Sequence, residues 1–343
     1  MTQRKVTIND VAEAAGVSVS TVSFVVSGKG RISSATVDRV NKTIEQLGYV
    51  PNRSASTLRG GSSGVIGLIV RDLSDPFYAE MTAGLSDALE QQGKVLFLTQ
   101  SGEQGQHLQR AFESLVTRGV DGVILGGGAA QANDFAARAS ALSVPLICAS
   151  RAATLDGVDS IRPDNALAAR MATEYLIRQG HQRIAWLGGS GTSLTRAERI
   201  GGYCATLLQY GRPFRSEWII ECQHNQKAAA EATAQLVQQH PGITAIIAYN
   251  GSTALGCYFA LLRSGRSVGT GALDSYYDQQ MALIGFGDDP QAELTDPPLT
   301  MVASPAREIG RAAAARMLAR LISPGAGPQH LIMPSQLIVR GSA

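Results

Sequence analysis

The chain has 343 residues, 44% of them hydrophobic and 17% charged, and its formal net charge at pH 7 is +2. This is the composition of an ordinary globular protein, long enough for one two-lobed body or for a few modules of roughly 100 to 200 residues each. The sequence has no apolar run of roughly 18 residues, as a membrane span requires, and no signal-peptide run near its first residue. We therefore expect a cytoplasmic location.

The cysteines carry no sign of a metal site or a disulfide framework. The four are scattered, without a CxxC pair and without histidines at metal-ligand spacing. We predict neither a metal nor a cofactor, and we expect buried thiols at Cys148, Cys204, Cys222 and Cys257.

The charge is distributed unevenly along the chain. Residues 1–63 contain eight lysines and arginines against four acids, a balance of +4, which leaves −2 for the remaining residues. A small basic head on a mildly acidic body favours the head as the part that meets a polyanion, although such a balance is also common on ordinary surfaces.

The head begins with two helix-like segments. Thr7 is a candidate cap for a helix that carries Asp10 in its first turn and ends at Gly16. Ser18 is a candidate cap for a second helix that begins at Val19. The two helices are predicted to share a small core of Ile8, Val11, Ala12, Ala15, Val17, Val22 and Val26.

A third helix is predicted between Ser33 or Ser34 and Gly48. Its apolar stripe, at helical spacing, consists of Val37, Val40, Ile44 and Leu47. Two helices joined by a glycine-containing turn and supported by a third are typical of a helix-turn-helix domain, here residues 1–50, whose second helix enters the DNA major groove. The alternative is any small three-helix bundle. DNA is favoured because a structural helix normally exposes Lys and Glu, whereas the outward positions here are Val19, Ser20, Ser23 and Phe24.

Residues 51–63 are predicted to be a hinge and linker. A proline breaks the preceding run, NRSASTLR is long enough for about two helical turns, and GGSSG is a flexible joint. So short a helix is marginal alone and is expected to order on a partner surface such as DNA. Ala55 and Leu58 suit a wedge between base steps, while Arg53 and Arg59 supply positive charge.

The segments TINDVAEAAGVSVSTVSFVVSGKGRIS and YVPNRSASTLRGG resemble the DNA-binding head and hinge helix of the LacI/GalR family of bacterial transcription regulators. The resemblance continues along the chain, and it implies a repressor of sugar-metabolism genes that binds double-stranded operator DNA as a homodimer at the nucleoid. It assigns phosphate contacts to Thr7, Ser18, Thr21, Ser23, Ser27, Ser33, Thr36 and Asn52. It assigns base reading to Val19, Ser20 and Phe24, and a minor-groove wedge to Leu58 beside the small Ala55.

Phe24 departs from the family pattern, in which most members carry an arginine that grips guanine through two hydrogen bonds. Neither Val19 nor Ser20 can replace that grip. We therefore expect an operator that is read partly through thymine methyl contacts and by DNA shape, with a core sequence different from the commonest in the family. The alternative is that Phe24 turns inward and is simply packed.

From residue 64 onward, Val/Ile/Leu runs alternate with helix-like segments, which indicates parallel sheets covered on both faces. The runs are GVIGLIV, KVLFLTQ, DGVILGGG and PLICAS, then QRIAWLGG, WIIEC, TAIIAYN and MALIGFG. The predicted fold is a two-lobed α/β core like that of periplasmic binding proteins, with lobes of about 64–160 plus 290–320 and 161–289 plus 321–343. Strands near Thr300–Ser304 and Leu331–Val339 are expected to return to the first and the second lobe respectively, which makes a hinged cleft.

Ligands of open α/β sheets bind at the carboxyl ends of the strands, and both lobes are expected to present such ends to the cleft. Polar groups around an aromatic side chain suit a small sugar or sugar phosphate, with Phe77 stacked on a sugar face. The candidate effector-binding residues, chosen by their positions after strands, are Phe77, Arg151, Asp164, Arg199, Asn250 and Asp288, with Asn165 beside Asp164.

Each candidate has a structural alternative. Arg199 lies in ERIGGY, which matches the family's effector-binding arginine, and its alternative is a surface ion pair. Asp164 is equally suited to cap a helix. His224 lies where relatives carry an aromatic residue, yet a lone histidine is more often simply exposed. Gly287 stands at a position where many family members carry an aspartate that binds the sugar. This departure leaves the identity of the effector open.

Two other classes of protein remain as alternatives. A solute-binding or sensor protein would share the two-lobed core, but the helix-turn-helix argues against it. An enzyme would need a complete phosphate-binding glycine motif or a catalytic set, and the turns GGGAAQ and WLGGSGTS supply neither, so no catalytic residue is predicted. Because no leucine heptads follow LIVRGSA, we expect a dimer rather than a tetramer.

Overall fold

The computed structural model describes residues 6–27, 30–49, 62–102, 107–127, 133–152, 155–270, 280–287 and 289–343. The chain divides into two compact units, residues 1–63 and 64–343. No helix in these ranges combines the length and the apolar character needed to cross a membrane.

The first unit contains the three predicted helices. They are α1 (Ile8–Ala15), α2 (Val19–Ser27) and α3 (Ser34–Leu47). Thr7 and Asp10 form a capping box at the start of α1, and Gly16 ends that helix in the left-handed conformation with φ of 64°. Gly48 ends α3 in the same way with φ of 61°. The caps read from the sequence are therefore those that bound these helices.

The core of the first unit is formed by the buried residues Val11, Ala12, Ala15, Val22 and Val40. The prediction was wrong for Val26, which is exposed, because Val25 packs against the core in its place. Val25 follows Val22 by three residues and so lies on the same face of α2. Leu47, predicted in the stripe of α3, is also exposed, at the last position of that helix.

The second unit alternates strands and helices. Its first part contains β1 (Val65–Val70), α4 (Pro76–Glu90), β2 (Val95–Gln100), α5 (Leu108–Thr117), β3 (Gly122–Leu125), α6 (Asn133–Ala141), β4 (Leu146–Ala149) and β5 (Asp159–Pro163). Next come α7 (Asn165–Arg178), β6 (Ile184–Leu187), α8 (Leu194–Gln209), β7 (Ile219–Ile220), α9 (Gln226–Gln239), β8 (Ala245–Ala248), α10 (Gly251–Arg263) and β9 (Ala282–Phe286). The last elements are β10 (Thr300–Ala303), α11 (Ala306–Ile322), β11 (His330–Met333) and β12 (Gln336–Ile338).

These strands form two six-stranded sheets, one in each lobe. The first has the order β11-β5-β4-β3-β1-β2 and the second the order β12-β10-β9-β8-β6-β7. All neighbouring pairs are parallel except β12, which runs antiparallel to β10. Each of the eight predicted runs forms a strand, whereas β5, with the polar sequence DSIRP, was not predicted.

The predicted return of the late strands was wrong for two of the three. β10 pairs with β9 in the second sheet rather than joining the first, and β11 pairs with β5 in the first sheet rather than joining the second. Only β12 lies in the second sheet as expected. The connection from β9 to β10 contains no long helix, only the turn Pro290–Glu293, so β10 stays beside the strand that precedes it.

The chain crosses between the lobes three times, between β5 and α7, between β10 and α11, and between β11 and β12. Each crossing is short and contains or adjoins a proline, namely Pro163, Pro305 and Pro334. The first and third crossings are joined, since the backbone N–H of Asp164 donates to the carbonyl of Met333 at 2.9 Å. The lobes are therefore connected by three short segments, of which the first and the third lie side by side.

Glycines bring the helices of the first lobe into close contact. A Cβ on Gly310 of α11 would lie 2.1 Å from the carbonyl oxygen of Met81, and one on Gly84 of α4 would lie 2.1 Å from that of Arg307. No real Cβ contact is so short, so these two helices can approach this closely only with glycine at both positions.

A buried carboxylate anchors β11 to the first lobe. Asp159 accepts hydrogen bonds from Arg316 Nε at 2.8 Å, Arg320 Nη2 at 2.6 Å and the backbone N–H of Gln329 at 2.8 Å. Burial alone would raise the pKa of Asp159, but the hydrogen bonds from Gln329, Arg320 and Arg316 outweigh it and hold the pKa below its usual value. The group is therefore an ionised structural clamp.

Candidate functional site

Five of the hydroxyls for which the resemblance implies phosphate contacts, those of Thr7, Ser18, Thr21, Ser33 and Thr36, lie at helix N-termini. Thr7, Ser18 and Ser33 are exposed, and each accepts a hydrogen bond from the backbone N–H three residues further on, at 3.4, 3.1 and 3.4 Å. Thr21 and Thr36 share hydroxyl hydrogen bonds with Ser18 and Ser33, at 2.8 and 2.9 Å. Helix N-termini favour anions, so the three helix starts can each receive a phosphate oxygen.

The outer face of α2 exposes the residues implied for base reading. Phe24 is 46% exposed and Val19 41%, while Ser20 is exposed and Ser23 half-buried. The alternative in which Phe24 turns inward is therefore wrong. A Cβ on Gly30 would lie 3.4 Å from Cγ of Phe24, so Gly30 is close to the base of the ring.

Several predicted site residues lie outside the part of the chain that the structure describes. They are the side chain of Ser27, the hinge residues Asn52, Ala55, Leu58 and Arg59, and Asp288 of the cleft. Their roles remain predictions.

The second unit has a cleft where the carboxyl ends of both sheets meet. The segments that follow β1 and β4 in the first lobe and β8, β9 and β10 in the second enclose a cavity of about 170 Å³. Four of the six predicted effector residues line it, namely Phe77, Arg151, Arg199 and Asn250. The cavity is of the size of a small polar molecule and lies at the strand ends, where the fold class predicts a ligand.

Arg199 lies at the floor of this cleft and is only 2% exposed. Its Nε donates to Asn165 Oδ1 at 3.2 Å and its Nη1 to the carbonyl of Tyr249 at 2.8 Å, while its guanidinium lies 4.1 Å from the ring centre of Phe286. No carboxylate of the described residues forms an ion pair with it. Burial lowers the pKa of Arg199 to about 10, so the group is a desolvated cation bound by neutral partners.

Asn165 joins Arg199 to the opposite lobe. Its Nδ2 donates to the carbonyl of Arg151 at 2.6 Å and to Glu198 Oε2 at 2.8 Å, so both amide protons are used while Oδ1 accepts from Arg199. Glu198 also accepts from Arg162 Nη1, with both carboxylate oxygens at 3.0 Å. A hydrogen-bonded chain therefore runs from β5 of the first lobe to α8 of the second.

Arg151 lies on the first-lobe side of the cleft. Its Nη2 contacts Asp75 Oδ1 at 2.6 Å, and the same carboxylate oxygen caps α4 by accepting from the N–H of Phe77 at 3.0 Å. The guanidinium lies 4.8 Å from the ring centre of Phe77. The ring predicted to stack on a sugar is thus buried and already stacked on Arg151.

His224 lies in the cleft and is not simply exposed as expected for a lone histidine. Its ring is stacked on Tyr249 with 5.1 Å between centres, and both residues line the cavity. Gly287, also in the lining, has φ of 99°, a left-handed conformation that glycine adopts most readily. The aromatic pair provides an apolar wall beside the polar floor.

Two predicted polar residues serve as helix caps. Asp164 Oδ1 accepts from the N–H of Leu167 at 2.9 Å at the start of α7, and Asp164 does not line the cavity. Asn250 Oδ1 accepts from the N–H of Thr253 at 2.8 Å at the start of α10, but Asn250 does line the cavity. Of the neighbours Asp164 and Asn165, it is Asn165 that belongs to the cleft network.

Sequence reasoning missed Arg71, Asp75, Tyr249 and Phe286 as parts of the cleft. Arg71 follows β1 directly, and Phe286 is the last residue of β9, so position at a strand end was an available signal for both. Tyr249 follows β8 in the same way. A ring at a strand end therefore lines the cleft as a polar side chain does.

The cysteines are all free thiols. Cys148 and Cys257 are fully buried, and burial raises their pKa values to about 11 and about 12. Cys204 and Cys222 are half-buried, so the expectation of buried thiols was wrong for these two. In the described ranges, no three His, Cys, Asp or Glu side chains come together as a metal site.

Comparison with known proteins relates both units to one family. Residues 63–340 match the model for periplasmic binding proteins and sugar binding domain of LacI family, and residues 7–52 match that for bacterial regulatory proteins, lacI family. The chain is 54% identical to the maltose regulon regulatory protein MalI of Escherichia coli (strain K12) over 337 residues, 98% of each chain.

Two solved structures resemble the chain along nearly its whole length. The lac repressor dimer bound to operator and the anti-inducer ONPF has a TM-score of 0.85 and 25% identity, over 99% of each chain. A complex of the transcriptional regulator CelR with cellobiose has a TM-score of 0.72 and 28% identity, over 99% of this chain and 100% of that one. The predicted fold class is confirmed, and the enzyme alternative is set aside because these proteins are regulators. The chain belongs to the LacI family of bacterial transcription regulators.

Proposed function

We propose that this regulator represses genes of sugar uptake and metabolism, of the maltose type, by binding an operator through its first unit. A small sugar-like ligand bound in the cleft of the second unit changes the affinity of the protein for the operator. The observation that carries the proposal is the end-to-end similarity, at 54% identity, to a regulator of a maltose regulon. The protein would then act at the nucleoid, in the cytoplasm.

The structure of the first unit supports phosphate contacts. Three exposed helix starts, at Thr7, Ser18 and Ser33, combine capping hydroxyls with the positive ends of helix dipoles. Base reading by Val19, Ser20 and Phe24 and a minor-groove wedge at Leu58 complete the proposed operator contacts. The family match over residues 7–52 supports this assignment.

The chemistry of the cleft supports a small polar ligand. Arg199 is a buried guanidinium without a carboxylate partner in the described chain, so hydroxyl or phosphate oxygens are suitable acceptors for its remaining donors. His224 and Tyr249 offer an aromatic wall for the apolar face of a sugar ring. The similarity to a CelR–cellobiose complex supports the same ligand class.

A homodimer is supported by the free edge of the first sheet. β2 is the last strand of that sheet, and Val95, Phe97 and Leu98 are exposed along it. An exposed apolar edge strand is prone to association unless another chain covers it. A second copy would cover it, as the similarity to the lac repressor dimer also suggests.

The direct test is footprinting of the purified full chain on the DNA upstream of its own gene, with salt titration and with maltose, glucose and their phosphates. We expect a symmetric protected site whose log affinity falls linearly with log salt, at a slope of roughly −0.9 per phosphate contact. A sugar-dependent change in protection would identify the effector. Absence of any protection, with a sugar bound in calorimetry, would overturn the repressor assignment in favour of a sensor.

The role of Arg199 is tested by the Arg199→Ala variant in the same assay. We expect operator binding in the absence of sugar to remain within about threefold of the parent, because the residue lies in the second unit, and the sugar response to disappear. The matched control is Arg215→Ala, at an exposed arginine, which should keep the response. Loss of operator binding in Arg199→Ala alone would make Arg199 a structural residue.

A further inference from the structure

The outer face of α2 has few groups that can tell one base from another by hydrogen bonding. Its sequence, VSTVSFVVS, contains no charged and no amide side chain, which are the groups that make bidentate contacts with guanine or adenine. Its polar groups are hydroxyls, which both donate and accept and so fit any base edge. The hydroxyl of Ser18, in addition, shares hydrogen bonds of 2.8 Å with the hydroxyls of Ser20 and Thr21.

The groups left on this face for discrimination are apolar. Val19 is at the N-terminal end of α2, where recognition helices contact base edges, and Phe24 is the most exposed large apolar residue of the helix. Gly30, with φ of 95°, is close to the base of the Phe24 ring, since a Cβ there would lie 3.4 Å from Cγ of Phe24. An apolar group in the major groove has one partner among the standard base edges, the C5-methyl group of thymine.

We infer that α2 recognises the C5-methyl group of pyrimidines, whichever base carries it. Thymine and 5-methylcytosine are then equivalent at the contacted positions, because both project a methyl from the same ring carbon into the major groove. Uracil and unmodified cytosine lack it and bind less tightly. Where a contacted position is a cytosine, occupancy of the operator therefore depends on the methylation of that cytosine. The inference rests on the proposed DNA-binding function and names the chemical group that the helix reads.

The surroundings of α2 favour DNA over a protein partner for this apolar face. The exposed starts of α1, α2 and α3 belong to the same compact unit, and residues 1–63 carry a balance of +4 in the sequence. A unit that combines exposed helix starts and a positive sequence balance with exposed apolar side chains suits a polyanion with methyl groups in its groove.

The test uses the operator defined by footprinting and the full-length wild-type chain. At each thymine of a half-site, symmetrically in both halves, the pair is replaced in turn by uracil–adenine, 5-methylcytosine–guanine and cytosine–guanine, and the dissociation constant is measured. At the contacted position we expect thymine and 5-methylcytosine to agree within about twofold, while uracil and cytosine weaken binding by about fourfold per methyl lost, or about fifteenfold for a symmetric pair.

The outcomes distinguish a failure of this inference from a failure of the proposed DNA-binding function. If uracil binds as tightly as thymine at every position, or if 5-methylcytosine is as weak as cytosine, the methyl inference is overturned while the repressor assignment stands. If no DNA is bound specifically, both are overturned. None of these measurements requires a variant that must fold.

A variant then identifies the reading residue. Phe24→Ala should bind the four pyrimidine versions of one position within about twofold of each other, while the slope of log affinity against log salt stays unchanged because the phosphate contacts remain. The matched control is Phe214→Ala, at a half-exposed phenylalanine of the second unit, which should keep the preference for the methyl group. A Phe24→Ala variant that keeps the full preference would remove Phe24 from the reading surface.

Discussion

Replacing Asp159 by asparagine tests how much the buried carboxylate clamp contributes to stability. The substitution keeps the shape of the side chain and leaves two mostly buried guanidinium groups, of Arg316 and Arg320, without their counter-charge. Breaking a buried ion pair costs on the order of 3–5 kcal/mol, and the lower value applies because the asparagine oxygen still accepts one hydrogen bond. For a domain of this size, a loss of about 3 kcal/mol corresponds to a fall in Tm of roughly 6 °C.

The stability difference between the parent and this variant should depend on pH, and the lowered pKa of Asp159 gives the sign of that dependence. The pKa of Asp159 is lower in the folded chain than in the unfolded one, so its contribution to stability is present at neutral pH. As pH falls below about 4, the usual value for aspartate, that contribution begins to be lost, and it is gone once the folded carboxyl is protonated. The Tm difference between the parent and Asp159→Asn should therefore shrink in acid.

Thermal melts followed by circular dichroism between pH 3 and pH 8 measure both effects. Asp156→Asn, at an exposed aspartate three residues earlier, is the control and should melt with the parent at neutral pH. A Tm within 1 °C of the parent at pH 7, or a difference that widens in acid, would refute the description of Asp159 as an ionised clamp.

Two further expectations concern contacts within the second unit. Gly310→Ala should lower the free energy of unfolding by about 2–3 kcal/mol in urea, because its Cβ would meet a backbone carbonyl at 2.1 Å. Gly325→Ala, where no atom lies within 4 Å, should be neutral, and equal effects of the two would contradict the close helix packing. A double-mutant cycle of Arg162→Gln and Glu198→Gln should give a coupling energy of about 1 kcal/mol, since this half-buried pair joins the lobes. Additive effects would mean that the pair does not stabilise their arrangement.

The strands of the core could be predicted because their sequences are continuous apolar runs. β5 was missed because DSIRP is short and polar, and it becomes a strand through its pairing with β4 and β11 on either side. The sequence likewise does not show which of the two sheets a late strand joins. β10 and β11 are both four-residue strands, and the connections and strand edges in the fold decide where each pairs.

The site was predicted less completely than the fold. Position after a strand correctly placed Arg151, Arg199 and Asn250 at the cavity, since the carboxyl ends of parallel strands meet there. The rule does not say what each side chain contacts. Phe77 stacks on Arg151, a partner distant in sequence, and Asp164 caps its own helix by accepting from Leu167 rather than entering the cleft.

The three crossings make both lobes depend on residues that are synthesised late. β11 completes one edge of the first sheet and β12 one edge of the second, and both follow residue 329. While the chain emerges from the ribosome, the first lobe has its five earlier strands long before α11 and β11 exist to cover and close it. Neither lobe can reach its native sheet until nearly the whole chain has left the exit tunnel. A chain that stopped near residue 325 would therefore lack an edge strand in both lobes at once.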